Sequence, residues 1–213
     1  MVSPWDKEYV ETKRIKLGLV SLADREKAAA EWISERYGVD VLNVILDQLP
    51  HLMRPRVQVI LDRESDEPKF KDGFNFSATI QEEICVHLKA LGYPHADGRI
   101  LVVFSSLERV ARWEMNERVT SDQETALLDS IADPALWTIH RCTSGTTFFF
   151  HTEAQKSDAI RLGLQRRYSD IYFDLLVTYD EFGYLDKGNF EVNFDSRENF
   201  KEAYSESWFN YDR

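Results

Sequence analysis

Cysteine is scarce in this sequence: Cys85 and Cys142 are the whole supply in 213 residues, and they lie far apart. A disulfide framework is excluded, and both thiols sit in apolar settings that fit core packing in a reduced, cytoplasmic protein. No apolar stretch resembling a secretory leader follows Met1-Val2-Ser3-Pro4-Trp5. No run of about eighteen apolar residues occurs either, so a membrane span and a membrane partner are not expected. Positive charge is short as well. The balance of 26 basic and 37 acidic residues leaves a formal net charge of −11. Such a surface repels phosphate backbones, which excludes nucleic acid as a partner, and attracts basic proteins or cations. Glycine-rich phosphate loops of the Gly-x-Gly-x-x-Gly or Walker kind and the Gly-x-Ser-x-Gly elbow are missing, which removes the common nucleotide-binding and hydrolase signatures.

What the chain does have is 43% apolar content, enough to bury a sizeable core, and an internal echo. Val102-Val103-Phe104-Ser105-Ser106-Leu107-Glu108-Arg109-Val110 returns as Val192-Asn193-Phe194-Asp195-Ser196-Arg197-Glu198-Asn199-Phe200. Each copy is a strand handing over to a helix, capped by Ser or Asp with Glu three places on. The expected fold class is α+β: a mixed β-sheet from two βαβ-like halves, with internal duplication as one explanation, helices mainly on one face, and an N-terminal helical pair. The expected division is an N-terminal helical segment, 1–54, packed on an α+β domain, 55–213, with pseudo-repeats 55–133 and 134–213.

Ser21 with Asp24 marks a helix start and Gly38 a stop, and Val41, Leu42, Ile45, Leu46 and Leu49 follow helical spacing up to Pro50, which predicts two antiparallel helices. Strands are predicted over 56–62 and 100–104, the latter apolar on both faces and therefore central in a sheet. Phe70, Phe74 and Phe76 punctuate the polar segment 63–77, which is expected to fold back on the core. Ile80, Ile84, Leu88 and Leu91 predict a helix ending at Gly92. Thr120 with Gln123 and Ser121 with Glu124 offer overlapping capping boxes for a later helix. Leu136–Thr143 and Thr146–Glu153 flank Ser144-Gly145 as a hairpin in which Thr143 faces Thr146. One long helical stripe runs from Ile160 through Leu164, Tyr168 and Tyr172 to Leu176. The last strand is expected over 190–194 and the last helix from Arg197 to about Tyr204.

In that hairpin register His140, Cys142 and His151 share one face, a weak candidate set for zinc. Phe149 occupies the middle of the face and no metal-binding spacing motif is present, so no metal and no cofactor is expected. The dense carboxylates Glu82-Glu83, Asp180-Glu181 and 62–67 read as solvated faces. Cys142 has no base nearer than His140 two places away. No catalytic residue is assigned, and an enzymatic activity is unsupported.

The section from Asp180 to Arg213 holds nine acids against four bases, a net of −5, interleaved with aromatic rings. Acid plus aromatic suits a surface that docks a basic protein. The partner-binding candidates are Asp180, Glu181, Tyr204, Glu206, Trp208, Phe209 and Tyr211. The function expected is that of a non-catalytic, acidic, cytoplasmic protein-binding module that recognises a basic protein partner. Small acidic proteins without catalytic motifs and rich in Trp and Tyr often act as inhibitors, and bacterial immunity proteins that neutralise toxins share that general composition. The alternatives are a small-molecule sensor or hydrolase with a cleft between the two halves lined by His140, Arg141, His151 and Glu153, and a homodimer formed through a sheet edge or the C-terminal rings.

Overall fold

The computed structural model describes residues 3–49, 54–93, 100–142 and 145–212. The chain divides into two compact units, Met1–Val110 and Ala111–Arg213, and its class is α+β. In the first unit α1 (Lys7–Lys16) and α2 (Asp24–Tyr37) precede strands β1 (Val41–Leu49) and β2 (Arg54–Leu61). A 3-10 turn (Glu64–Phe70), a two-residue ribbon of β3 (Lys71–Asp72) and β4 (Asn75–Phe76), and helix α3 (Ala78–Ala90) lead to β5 (Leu101–Ser106). Helix α4 (Leu107–Arg118) contains the division point. The second unit continues with α5 (Ser121–Ile131), β6 (Leu136–Cys142), β7 (Gly145–Phe150), α6 (Glu153–Arg161), α7 (Leu164–Leu176), a short 3-10 turn, β8 (Asn193–Ser196), α8 (Arg197–Tyr204) and α9 (Trp208–Tyr211). Among the described residues no helix is long and apolar enough to cross a membrane.

The two units repeat one plan. Each has a three-stranded mixed sheet, ordered β1-β2-β5 and β6-β7-β8, whose first pair is antiparallel and second pair parallel. The strands therefore form separate sheets, where a single sheet was expected. Register agrees residue by residue: Leu61 pairs with Ser106 as Phe150 pairs with Ser196, and Val59 with Phe104 as Phe148 with Phe194. Even the irregularity recurs. The β1 ladder slips between Val41 and Asn43 opposite Leu61 and Ile60, and the β6 ladder slips between Leu136 and Thr138 opposite Phe150 and Phe149.

Polar anchors recur too. Glu108 accepts the backbone N–H of Glu64 at 2.9 Å, and Glu198 accepts that of Glu153 at 2.8 Å. Both donors open a helical segment, where the first N–H groups have no intrahelical acceptor, so a carboxylate from the neighbouring strand's helix satisfies them. Ser106 Oγ donates to Glu67 at 2.9 Å, and Ser196 Oγ to Glu153 at 2.5 Å. Gln81 donates its side-chain amide to the carbonyl of Val102 in β5, and Gln165 to that of Val192, the residue just before β8. The sequence echo thus marks where a strand is stitched to its neighbour. The cap differs from expectation: Ser196, not Asp195, accepts from the N–H of Asn199, which leaves Glu198 for the Glu153 amide.

Several elements depart from the sequence reading. Residues 41–49 are a strand: their apolar pattern fits a strand covered on both faces as well as a helix stripe, and pairing with β2 decides it. In unit 1 Val57, Val59 and Leu61 join Ile33 of α2 and Ile84 and Leu88 of α3 in one core, while Asn43, opposite Ile60 on the other face, donates to Thr12 of α1 at 3.0 Å. β5 is an edge strand with alternating burial, and β2 is central. Gly163, at φ +69, breaks the expected long stripe into α6 and α7 and leaves Ile160 exposed. Phe70 enters the core as expected of that segment, whereas Phe74 is fully exposed. Gly38 ends α2 in the left-handed region, and Thr120 with Gln123 forms the complete capping box of α5.

On β1, Asp47 receives Arg56 at 2.8 and 2.5 Å and Gln58 at 2.8 Å. The Arg56 hydrogen bonds hold its carboxyl below the usual range despite partial burial. A carboxylate with a depressed folded pKa stabilises above its unfolded pKa and loses that contribution as pH falls through the folded value. Asp47→Asn is therefore expected to cost about 1 kcal/mol at pH 7. In urea unfolding repeated down the pH scale, the gap from wild type should close in acid.

Candidate functional site

The distinctive region of unit 2 is the sheet face that carries Phe149. Phe148 and Phe150 point the other way, and Phe148 lies against Tyr168 and Tyr172 of α7. Phe149 is fully buried, and the C-terminal helices fold back over it. Its ring meets Phe200 of α8 at 5.9 Å and Trp208 and Tyr211 of α9 at 5.3 and 5.2 Å between centroids. Trp208 is sandwiched: Phe200 stacks on it at 4.0 Å and His140 at 3.9 Å with only 8° between planes. Trp137, the residue at the β6 irregularity, adds a ring parallel to Trp208 at 6.1 Å, with the Arg197 guanidinium 4.9 Å above it.

Polar groups close the rim. His140 Nε2 lies 2.8 Å from Asp212 Oδ1. The Tyr211 hydroxyl donates to Asp195 at 3.0 Å, and burial together with that carboxylate pushes its phenol well above the ordinary range. Lys156 bridges Glu153 at 2.7 Å and Asp195 at 3.6 Å. Hydrogen bonds from Lys156 and Ser196 hold the Glu153 carboxyl below its usual value.

The sequence-predicted partner-binding residues fall into three groups. Trp208 and Tyr211 are half-buried in the aromatic cover, and Tyr204 lies against Tyr211 with centroids 4.8 Å apart. Asp180 is a loop staple whose carboxylate accepts the N–H groups of Phe182, Tyr184 and Leu185 at 3.3, 3.0 and 2.8 Å. Glu181, Glu206 and Phe209 face solvent, Phe209 with 67% of its surface exposed and Glu206 lying 3.9 Å from Arg197. The expected turn residue Ser144 lies outside the described residues. The hairpin pairs Cys142 with Gly145 and Arg141 with Thr146, two residues out from the expected register. Since the shift is even, the faces are unchanged, but His140 now opposes Thr147. His151 falls just beyond β7 and is exposed, donating its backbone N–H to the carbonyl of Ala135.

Arg141 donates to the carbonyls of Asn116 and Val119, at 2.5 and 2.8 Å, and pairs with Glu124 at 3.1 Å. Basic charge at the carbonyl end of α4 explains its place. Asp212 is the participant that local sequence patterns miss, since only the fold of the tail brings it to β6.

No protein-family model matches the chain, and no curated protein matches it. A solved structure described as the crystal structure of APE1850 is similar over 83% of this chain and all of its own, at 16% identity and a TM-score of 0.25. That likeness carries no argument about function.

Proposed function

We propose that the protein is a non-catalytic, acidic protein-binding module whose C-terminal turn docks a basic protein partner. Phe209 carries the reading. It is a large ring left mostly in water on a four-residue helix whose neighbours Trp208 and Tyr211 are anchored to the sheet. A ring held in place by its neighbours loses little freedom on binding, the economy that makes aromatic side chains frequent binding hot spots. Glu202, Glu206 and Asp212 are exposed on the same segment, and the chain as a whole is strongly negative. Charge of one sign around an exposed ring favours a partner of the other sign and speeds encounter. The anchors that Glu108 and Glu198, Ser106 and Ser196, and Gln81 and Gln165 make recur in both units and serve the fold. Neutralisation of an active partner is the finer form of the same reading.

Affinity capture with the full chain, performed in parallel with Phe209→Ala and with Glu202→Lys/Glu206→Lys, tests it. A basic protein should be retained by wild type, weakened at least about tenfold by each variant, and released as salt rises. Retention indifferent to both variants and to salt would remove the proposal.

A further inference from the structure

We infer that His140, Cys142 and Asp212 form a binding site for a borderline-soft divalent cation, zinc being the best match. Among the described residues they are the set of three whose donor atoms, an imidazole nitrogen, a thiol sulfur and a carboxylate oxygen, all lie within 4.8 Å of one another. Tetrahedral zinc bonds place such donors roughly 3.3–3.8 Å apart, so an ion entering the set would part the 2.8 Å His140–Asp212 contact and draw in whichever donors stand farther apart. Nitrogen, sulfur and oxygen together select zinc over magnesium or calcium.

Local structure supports each ligand. His140 and Cys142 alternate onto one face of β6, and the parallel stack of Trp208 on His140 fixes the imidazole plane. Gly145, opposite Cys142, puts no side chain over the thiol. At the matching place in unit 1, Asp47 opposes Arg56, and their ion pair fills the corresponding face. This cluster is therefore particular to unit 2, unlike the anchors the units share. Asp212 brings the third ligand from the end of α9, so the ion would tie the tail to the sheet and leave one coordination position to water. Binding converts the Cys142 thiol to thiolate and releases its proton to solvent, which makes affinity rise with pH. The inference goes beyond the protein-binding reading and needs no partner for its test.

The experiment is a cobalt(II) titration of the chelator-treated full chain, followed by zinc competition. One equivalent of cobalt should give thiolate-to-metal charge transfer and intense tetrahedral ligand-field bands, both abolished by stoichiometric zinc. Cys142→Ala should remove the charge-transfer band. Asp212→Asn, an exposed substitution that spares the fold, should weaken zinc by more than the roughly 10–100-fold typical of groups outside the coordination sphere. Cys85→Ala and His151→Ala should change neither. A wild-type protein without the charge-transfer band, a band that survives Cys142→Ala, or zinc affinity unmoved by Asp212→Asn would each overturn the inference.

Discussion

Truncating Phe149 to alanine is expected to lower stability by about 3–5 kcal/mol, the range for a buried phenylalanine whose site cannot collapse. The side chain is fully buried at the centre of its sheet face, between Thr138 of β6 and Asp195 of β8. Five rings gather round it: Trp137, His140, Phe200, Trp208 and Tyr211. Most meet it edge to face, and aromatic pairs of that kind add about 0.5–1.5 kcal/mol beyond the area they bury. The surrounding strands are fixed by their ladders, so a cavity remains. Urea unfolding followed by tryptophan fluorescence reads the effect directly, because Trp137 and Trp208 belong to the same cluster. Phe149→Leu should cost less than half as much. Phe209→Ala, at an exposed ring of the same tail, should stay within about 0.5 kcal/mol. Equal costs at 149 and 209 would mean that α9 is not seated on the sheet.

That contrast also shows how much of the molecule was legible beforehand. Helix α2 with its Gly38 stop, α3 and the Thr120 capping box were readable because their signals are local: spacing, a left-handed terminus, a reciprocal side-chain cap. The strand-to-helix echo was readable for the same reason. Residues 41–49 are ambiguous in sequence because Val41, Leu42, Ile45, Leu46 and Leu49 satisfy a helical stripe, and only the cross-strand partner distinguishes helix from strand. Position in the sheet was equally hidden, since a short apolar strand looks central whether it lies beside one neighbour or two. At the site, strand alternation placed His140 and Cys142 on one face in spite of the wrong register, because an even shift preserves sidedness. Asp212 could not be placed with them. Seventy positions separate it from Cys142, and the link is the return of α9 over Phe149, a consequence of packing with no local signature.

Arg109→Met is expected to cost about 3 kcal/mol, near the lower end of the range for breaking a buried ion pair. Glu67 is almost wholly inaccessible, with 3% of its side chain exposed, and Arg109 both ion-pairs with it and reaches Glu64 at 3.0 Å. Two other donors moderate the loss, Ser106 Oγ at 2.9 Å and the half-exposed Lys71 ammonium at 3.9 Å. Without the guanidinium a buried carboxylate keeps one hydroxyl and one distant cation, and the desolvation of its charge goes largely uncompensated. The damage should be reversible by a second change. Glu67→Met together with Arg109→Met removes both the charge and its partner, and the double variant should recover most of the loss, since apolar replacement of a whole buried pair is often neutral. Arg161→Met supplies the comparison: it breaks an exposed pair with Asp158 and should cost no more than about 0.5 kcal/mol. Thermal unfolding of the four proteins decides the matter. A double variant no more stable than Arg109→Met alone would show that the arginine acts through Glu64, and that the link from the turn after β2 to the start of α4 does not depend on the Glu67 charge.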